Sequence, residues 1–310
     1  MAAPPAIDAV ITWVDGANLP ELGEWLQRVG PEETGGDLGS YRWRDNGELR
    51  FALRSLDTYA PWVRTVHLVT NGQVPDWLNR SAPRLQVVTH REIFPDPALL
   101  PNFNSNAIEA VLHRIPDLAD HYLYFNDDVL LGRPVSEGDF LNSDGGTLVR
   151  IDRWTKAISP KSDSLIDRQL ARNSLLVLPH FAPLLSHSPQ LFERVRVTRL
   201  WHRWEALQKE TLRHRFRSER DALLRTLYFT ELLAEGLPHQ AVNDDQQTIV
   251  MCRVTDHSDI EAELKVIGKH EPISICFNDE IDDLDTEGWR WDLVREFLDQ
   301  RFPVPSRFEL

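Results

Sequence analysis

The chain has 310 residues, 42% of them hydrophobic and 26% charged, which is typical of a globular protein with a sizeable core. Its 34 Lys and Arg against 48 Asp and Glu give a net charge of −14, which argues against non-specific binding to nucleic acid or anionic membranes. The two cysteines, Cys252 and Cys276, argue against a disulfide framework and a cysteine-type zinc site. Because no apolar run approaches about 18 residues, we predict a cytoplasmic protein without a transmembrane segment.

The first predicted element is a strand at residues 7–14, which is β-branched and apolar and ends at an Asp-Gly turn. Strands that are apolar throughout usually belong to a parallel sheet covered by helices, and functional residues gather at the carboxyl ends of such strands. Asp15 and Trp13 are therefore candidates for nucleotide contact, and the adjoining Val14 and Gly16 are included with them in the expected binding site. An alternative interpretation is a strand-ending turn beside a core tryptophan.

A helix predicted over residues 49–59 begins in the most basic part of this half of the chain. Asp45 or Asn46 could cap it, so that the N–H groups and positive dipole end of the helix would face an anion. Guanidinium groups suit phosphate because they donate two parallel hydrogen bonds. The alternative is a solvated basic face. The candidate phosphate-binding cluster is Arg42, Arg44, Arg50 and Arg54, and the expected ligand-binding residues of this segment are Arg44, Asp45, Asn46 and Arg50.

Further apolar strands at residues 63–70 and 85–89 alternate with helical segments, and a helix capped by Asn104 and Ser105 precedes another strand at 122–125. This alternation predicts an α/β fold with a largely parallel, Rossmann- or GT-A-like sheet flanked by helices. The pattern over about residues 155–240 is mainly helical. We therefore predict one catalytic domain, 1–310, with a helical lobe at about 155–240 inserted before the last strand.

Two predicted strands end in the same polar pattern: Asn126-Asp127-Asp128 follows one, and Asn278-Asp279 follows the strand at 273–277. Adjacent carboxylates raise each other's pKa unless a cation lies close. A hard cation such as Mg²⁺, bound by one or two carboxylates and substrate phosphates, would relieve this repulsion. The alternative is a solvated Asn-Asp turn. The predicted ligands of Mg²⁺ (or Mn²⁺) are Asp127, Asp128, Asn278 and Asp279.

Four segments resemble, in order, the conserved blocks of the Stealth family. They are IDAVITWVDG at 7–16, RDNGELRFALRSLDTYAPWVRTVHLVTNGQVPDWL at 44–78, FNSNAIEAVLHRI and YLYFNDDVLLG within 103–132, and CFNDEIDD at 276–283. HSP at 187–189, RFRSERD at 215–221 and FPVPSRFEL at 302–310 also resemble the animal members, and Arg217 follows His187 by 30 residues. Asp15 departs from the animal pattern, which has Asn there. The animal insertions and membrane anchors have no counterpart in this sequence, which suggests a minimal bacterial catalytic domain.

Stealth proteins are sugar-phosphate transferases of bacterial capsule synthesis, and the family includes the animal N-acetylglucosamine-1-phosphotransferase. The resemblance implies transfer of a sugar 1-phosphate, most often from UDP-N-acetylglucosamine, to a carbohydrate acceptor hydroxyl, with release of UMP. It also makes His187 and Arg217 candidates for proton transfer and phosphate stabilisation beside Asp128. We add Asn104 and Ser105, in the third block, to the expected nucleotide-sugar contacts.

Two other functions are compatible with these residues. A metal-dependent glycosyltransferase would cleave the sugar C1–O bond and release UDP, and a divalent-cation-dependent carbohydrate-binding protein would release neither nucleotide. For the proposed phosphotransfer, His187 is the favoured base because of its intrinsic pKa, and a carboxylate such as Asp128 is the alternative.

Overall fold

The structure, a computed structural model, describes residues 5–29, 39–155, 164–178, 182–185, 187–237, 239–241, 249–281 and 284–310. Its described strands are β1 (Ile7–Thr12), β2 (Val66–Thr70), β3 (Leu85–Thr89), β4 (His121–Asn126), β5 (Val129–Leu131), β6 (Val149–Thr155), β7 (Ala182–Leu185), β8 (Gln190–Glu193), β9 (His239–Ala241), β10 (Ile249–Thr255) and β11 (Ser274–Glu280). Its described helices are α1 (Pro20–Arg28), α2 (Glu48–Tyr59), α3 (His90–Ile93), α4 (Ser105–Val111), α5 (Leu165–Val177), α6 (Arg194–Arg203), α7 (Glu205–Arg213), α8 (Leu224–Ala234), α9 (Ile260–Lys269), α10 (Leu284–Glu287) and α11 (Trp289–Arg301).

The central sheet has the strand order β3-β2-β1-β4-β8. Strands β3, β2, β1 and β4 run parallel, and β8 is antiparallel to β4. Both faces are covered by apolar clusters, and β1 and β2 are buried over nearly their whole length. The predicted α/β fold with a largely parallel sheet and flanking helices is therefore confirmed, since helices on both faces require apolar strands.

A second sheet, β10-β11-β5, is joined to the first at the end of β4. The chain leaves β4 at Asn126, turns through Asp127 and Asp128, and enters β5, which pairs antiparallel with β11. The backbone N–H of Phe277 donates to the Asp128 carbonyl at 3.0 Å, which fixes the turn against β11. A small third sheet, β7-β6-β9, lies beside helices α5 and α8.

Some sequence expectations differ from the structure in detail. Helix α2 begins after Gly47, whose φ of +91° allows the turn without a side-chain cap, so the expected cap at Asp45 or Asn46 is wrong. The region predicted to be mainly helical, at about 155–240, also contains strands, and β8 at Gln190–Glu193 extends the central sheet. A four-residue segment with two apolar residues is compatible with either a strand or a helix start, and pairing with β4 decided between them.

Within the described ranges, no helix is both long enough and apolar enough to cross a bilayer. The helices of the predicted lobe, α5 to α8, are not detached from the sheet. Val197, Leu200 and Leu227 belong to the same buried cluster as Val10 and Tyr124 of the central strands.

Candidate functional site

The candidate site lies where the carboxyl ends of β1 and β4 meet β11, and its centre is the Asp127-Asp128 turn. Asp127 carries a pKa raised well above its usual range because it is buried and because Asp128, Glu48 and Asp45 add negative charge around it. Burial also raises the pKa of Asp45. Residues from distant parts of the sequence thus form one acidic cluster, which contains Asp45, Glu48, Asp127 and Asp128.

Glu48, in the first turn of α2, was not singled out from the sequence. Its side chain is buried and accepts hydrogen bonds from the Asn46 backbone N–H at 2.8 Å and from Asn46 Nδ2 at 3.1 Å. Burial, with Asp45 nearby, raises the pKa of Glu48 to about 8. The carboxyl is therefore mostly protonated at neutral pH unless a cation binds beside it.

His187 and Cys276 lie beside Asp128. One ligand atom from each of the three residues lies within 4.8 Å of the others. The Cys276 thiol donates to Asp128 Oδ2 at 3.4 Å, and burial raises the pKa of that thiol well above its usual range. Cys276 is therefore a neutral thiol that acts as a hydrogen-bond donor. It is a poor metal ligand in this state, because only a thiolate binds metal strongly. Burial raises the pKa of Asp128 to about 6, while the Cys276 hydrogen bond opposes the rise.

Arg217 and Arg225 place positive charge near His187. Burial, together with the guanidinium groups of Arg225 and Arg217, lowers the pKa of His187 to about 3. His187 is thus neutral at physiological pH, and its buried Nε2 has no hydrogen-bond partner among the described residues. Arg225 lies with its guanidinium carbon 5.7 Å from the centre of the Tyr124 ring. Tyr124 in turn donates to the partly buried Glu109 at 3.2 Å, and desolvation raises the pKa of Glu109.

Arg217 is held by the start of α4. Its Nε donates to the Ser105 hydroxyl at 3.0 Å, so the two predicted site residues are brought together. Asn104 caps α4 by accepting from the Asn106 N–H at 3.0 Å, and its amide donates to the fully buried carboxylate of Asp221 at 2.8 Å. Asp221 also accepts from the Ser218 N–H and from Nδ1 of His214. The Asn104 side chain is therefore committed to the loop that carries Arg217.

The second predicted metal motif divides between two faces of β11, because successive side chains on a strand point to opposite faces. Asp279 accepts from Arg44 Nη1 at 2.9 Å and from Asn46 Nδ2 at 3.1 Å. Asn278 has the same parity as Cys276, and its amide donates to Glu280 Oε1 at 2.6 Å. Asp279 and Asn278 consequently face different neighbours, although both were predicted to bind one cation.

The end of β1 places its four predicted residues in a tight turn. Asp15 Oδ1 accepts from the N–H groups of Ala17 and Asn18 at 3.1 and 3.3 Å, which caps a short 3-10 helix at Gly16–Asn18. A Cβ on Gly16 would lie 2.3 Å from Trp43 Cβ, so only glycine allows this approach. Trp13 is buried, and Val14 packs against a small apolar cluster.

Arg50 contacts Trp77 and the C-terminal segment, and its charge also acts on Asp45 of the acidic cluster. Its guanidinium carbon lies 4.9 Å from the Trp77 ring centre, and its Nε lies 3.7 Å from Glu309 Oε2. Arg44, by contrast, reaches Asp279 and the carbonyl of Ile281.

The residues present fit a hard divalent cation at the Asp127-Asp128 turn. Asp128 Oδ1 and Asn126 Oδ1 are buried atoms that accept no hydrogen bond from any described residue. Carboxylate and amide oxygens are the ligands that Mg²⁺ prefers, and negative charge converges on Asp127. The cation would be least favoured beside His187, where two guanidinium groups converge.

Sequence reasoning missed three residues besides Glu48. They are Cys276, Glu280 and Arg225 as members of the site. Arg225 offered a usable signal in the sequence, because it is the one charged residue from 222 to 230 and it interrupts an apolar run. Cys276 and Glu280 gave none, since their positions relative to Asp128 depend on the pairing of β5 with β11.

Comparison with known proteins identifies two conserved regions. Residues 42–149 match Stealth protein CR2, conserved region 2, and residues 266–310 match Stealth protein CR4, conserved region 4. An exopolysaccharide phosphotransferase of Streptomyces coelicolor is 36% identical over 314 residues, covering 98% of this chain and 52% of the relative. The capsular polysaccharide phosphotransferase SacB of Neisseria meningitidis serogroup A is 30% identical over 317 residues, covering 98% and 57%. The chain thus spans about half the length of the curated relatives it matches.

Among solved structures, the galactosyltransferase LgtC, in complex with donor and acceptor sugar analogues, aligns with a TM-score of 0.47 and 13% identity. The alignment covers 96% of this chain and 97% of that one. This is a loose likeness.

Proposed function

Because the chain belongs to the Stealth family, we propose that it transfers a sugar 1-phosphate from a nucleotide sugar to an acceptor hydroxyl. The donor in this proposal is UDP-N-acetylglucosamine, the acceptor is a glycan or polysaccharide, and the released nucleotide is UMP. The names of the relatives support the reaction class, since they are exopolysaccharide and capsular polysaccharide phosphotransferases.

The observation that carries the proposal is that acidic and basic side chains converge on the Asp127-Asp128 turn. Asp128, Glu48 and Asp45 act electrostatically on Asp127, and Arg225 and Arg217 act on Asp128 and His187. Both kinds of side chain suit a diphosphate, because a cation held by the carboxylates would neutralise its oxygens together with the guanidinium groups.

In the proposed reaction the acceptor oxygen attacks the phosphorus that carries the sugar. The new O–P bond forms a phosphodiester, the bond from that phosphorus to the bridging oxygen breaks, and UMP takes the bonding electrons. The hydroxyl proton passes to a base of the protein. Such transfers depend mainly on alignment and on stabilising charge on the non-bridging oxygens, which is the role we assign to Arg217 with Arg225.

We assign the base to His187. In the free protein its pKa of about 3 reflects burial and the two guanidinium groups, so it is neutral with a lone pair available on one ring nitrogen. A bound diphosphate would offset the charge of Arg217 and Arg225 and raise the basicity of the imidazole. Asp128, with a pKa raised to about 6 by burial, is the alternative base.

Asp127 and Asp128 are the residues we propose to hold Mg²⁺ or Mn²⁺, which supplies positive charge for the phosphate oxygens. Asn278 and Asp279 complete the predicted ligand set only if they exchange their present partners, Glu280 and Arg44. Arg44, once released from Asp279, could then contact the donor phosphates. We propose that the 310 residues act as one catalytic unit.

Product analysis tests the proposal directly. The chain is incubated with UDP-N-acetylglucosamine, Mg²⁺ and an oligosaccharide acceptor, and the nucleotide product is identified by mass spectrometry. UMP together with a phosphodiester-linked product is the expected result. Formation of UDP would instead show glycosyl transfer, and neither nucleotide with retained sugar binding would show a carbohydrate-binding protein.

A further inference from the structure

A second cleft lies near the start of β4, at the opposite end of that strand from the Asp127-Asp128 turn. It has a volume of about 380 Å³ and is formed where the 3-10 turn Leu112–Arg114, which follows α4, meets one face of α6. Its lining is basic and aromatic: His113, Arg114, Arg194, Thr198, Trp201 and His202. The volume falls within the range of small-molecule sites rather than that of a single ion.

Both arginines of this cleft are anchored through one edge of the guanidinium group. Arg114 Nε donates to the carbonyl of Ile93 at 2.7 Å, and Arg194 Nε and Nη1 donate to the carbonyls of His113 and Leu118 at 3.1 and 2.8 Å. Within the described part of the chain, no hydrogen bond from Nη2 of Arg194 or from either Nη of Arg114 to a protein acceptor is formed. The bound edges fix the orientation of each side chain, and the remaining N–H groups are available to a ligand.

The arginines of the cleft have no ion-pair partner among the residues that the structure describes. No carboxylate in that part of the chain forms an ion pair with His202 either, although Asp and Glu outnumber Lys and Arg by 48 to 34. The pKa of His113 is lowered to about 4 by burial and by the positive charge of the nearby Arg114, Arg194 and His202. The indole N–H of Trp201 is buried and has no acceptor among the described residues.

We propose that this cleft is a second binding site, specific for a phosphate group carried by a saccharide. Two oriented guanidinium groups suit the phosphate oxygens, and the Thr198 hydroxyl and the exposed His202 imidazole are groups that recognise sugar hydroxyls. The phosphate belongs either to a free sugar phosphate or to a phosphodiester within a longer glycan.

The cleft is separate from the candidate active site. It adjoins the start of β4, because the Arg194 N–H donates to the carbonyl of Asp120, whereas the Asp127-Asp128 turn follows the end of that strand. Six strand residues span about 17 Å. A ligand in the cleft therefore does not touch Asp128, and its binding does not depend on the proposed reaction.

The test is a titration followed by NMR of the tryptophan indole N–H groups in the full chain. The Trp201 signal is the one lost in Trp201→Phe. It should shift on addition of a hexose 1-phosphate, and neutral glucose at the same concentrations should leave it in place. Arg114→Ala should weaken the apparent affinity by about 10-fold, because a charge-assisted contact is lost. His202→Ala should weaken it as well, which provides a second exposed variant.

Arg80→Ala is the matched control, because Arg80 is exposed and lies outside the cleft. Asp128→Asn should leave the Trp201 shift unchanged, which separates this site from the active site. A phosphodiester-linked oligosaccharide that binds more tightly than the hexose 1-phosphate identifies a longer chain as the ligand, and weaker binding identifies the free sugar phosphate. Absence of any Trp201 shift, or a shift with equal affinity in Arg114→Ala and His202→Ala, overturns the proposal.

Discussion

Arg44 and Asp279 are 235 residues apart in sequence, and Arg44 Nη1 donates to Asp279 Oδ2 at 2.9 Å. Both side chains are about nine-tenths buried, with 11% and 7% of their surfaces exposed. Arg44 was predicted to bind donor phosphates and Asp279 to bind a metal ion, yet in this structure the two side chains form an ion pair with each other. The pair also links α2 to β11, because Asn46 donates from the same loop to both Asp279 and Glu48.

This pairing makes the two residues energetically coupled. Arg44→Ala should weaken use of the donor by about 10- to 100-fold, since a charge-assisted contact of about 1.5–3 kcal/mol is lost. Asp279→Ala should also be impaired, and the double variant should lose less than the product of the two single losses. The measurement is kcat/KM with the nucleotide sugar varied, and Arg80→Ala serves as the exposed control. Fully multiplicative losses would mean that the two side chains act independently.

The acidic cluster predicts a dependence on divalent metal. Asp128→Asn should lower turnover by more than about 100-fold and should weaken Mg²⁺ binding measured by calorimetry, because a cation supplies several kcal/mol of charge stabilisation. Asp144→Asn, at an exposed turn, is the control and should behave like the parent protein. Undiminished activity of Asp128→Asn, or of the parent protein in excess chelator, would remove the metal from the proposal.

The environment of His187 predicts a difference between two pH profiles. A base acts in its unprotonated form, so the rate rises with pH through its pKa. That pKa is about 3 in the free protein and should be higher once a diphosphate offsets Arg217 and Arg225. The acidic limb of kcat should therefore lie at higher pH than that of kcat/KM.

His187→Ala and His187→Gln should lose the acidic limb of kcat and about 10²- to 10⁴-fold in turnover. The comparison is the pH profile of each variant against the parent enzyme. A profile of unchanged shape with only a modest drop in rate would move the base to Asp128 or another carboxylate.

Asp8 predicts a pH dependence of stability that is separate from catalysis. The fully buried carboxylate accepts from Arg64 at 2.6 Å, from His67 at 3.0 Å and from the Ala119 N–H at 2.8 Å. Burial alone would raise its pKa, but these contacts lower the pKa to about 2. A depressed pKa stabilises the fold above the unfolded value near 4, and this contribution of about 2 kcal/mol is lost as pH falls to about 2.

Urea unfolding of Asp8→Asn and the parent protein at pH 7 and pH 3 measures this contribution. The free energy of unfolding should differ more between the two proteins at pH 7 than at pH 3. Asp144→Asn should show little difference at either pH. An equal difference for Asp8→Asn at both pH values would show that the charge of Asp8 is not what stabilises the fold.

The sequence by itself determined the sheet and the place of the site along it. Residues 7–12, 66–70 and 121–126 are apolar enough to be buried on both faces, which requires parallel strands with helices on either side. Residues 85–89 form the edge strand, where Gln86 is exposed. The polar residues at the carboxyl ends of these strands, Asp15 and Asp127-Asp128 among them, then mark one edge of the sheet. The bounds of α2 at Tyr59 followed in the same way, from Ala60-Pro61.

Tertiary structure alone decided which polar groups face one another. The register of β11 against β5 places Cys276 beside Asp128 and sends the neighbouring Asp279 to Arg44, and a shift of one residue would reverse those faces. Glu48 and Arg225 lie on helices whose packing brings them near the Asp127-Asp128 turn. Local sequence determines hydrogen-bonded elements a few residues long, whereas burial and charge at a site arise from contacts between segments far apart in the chain.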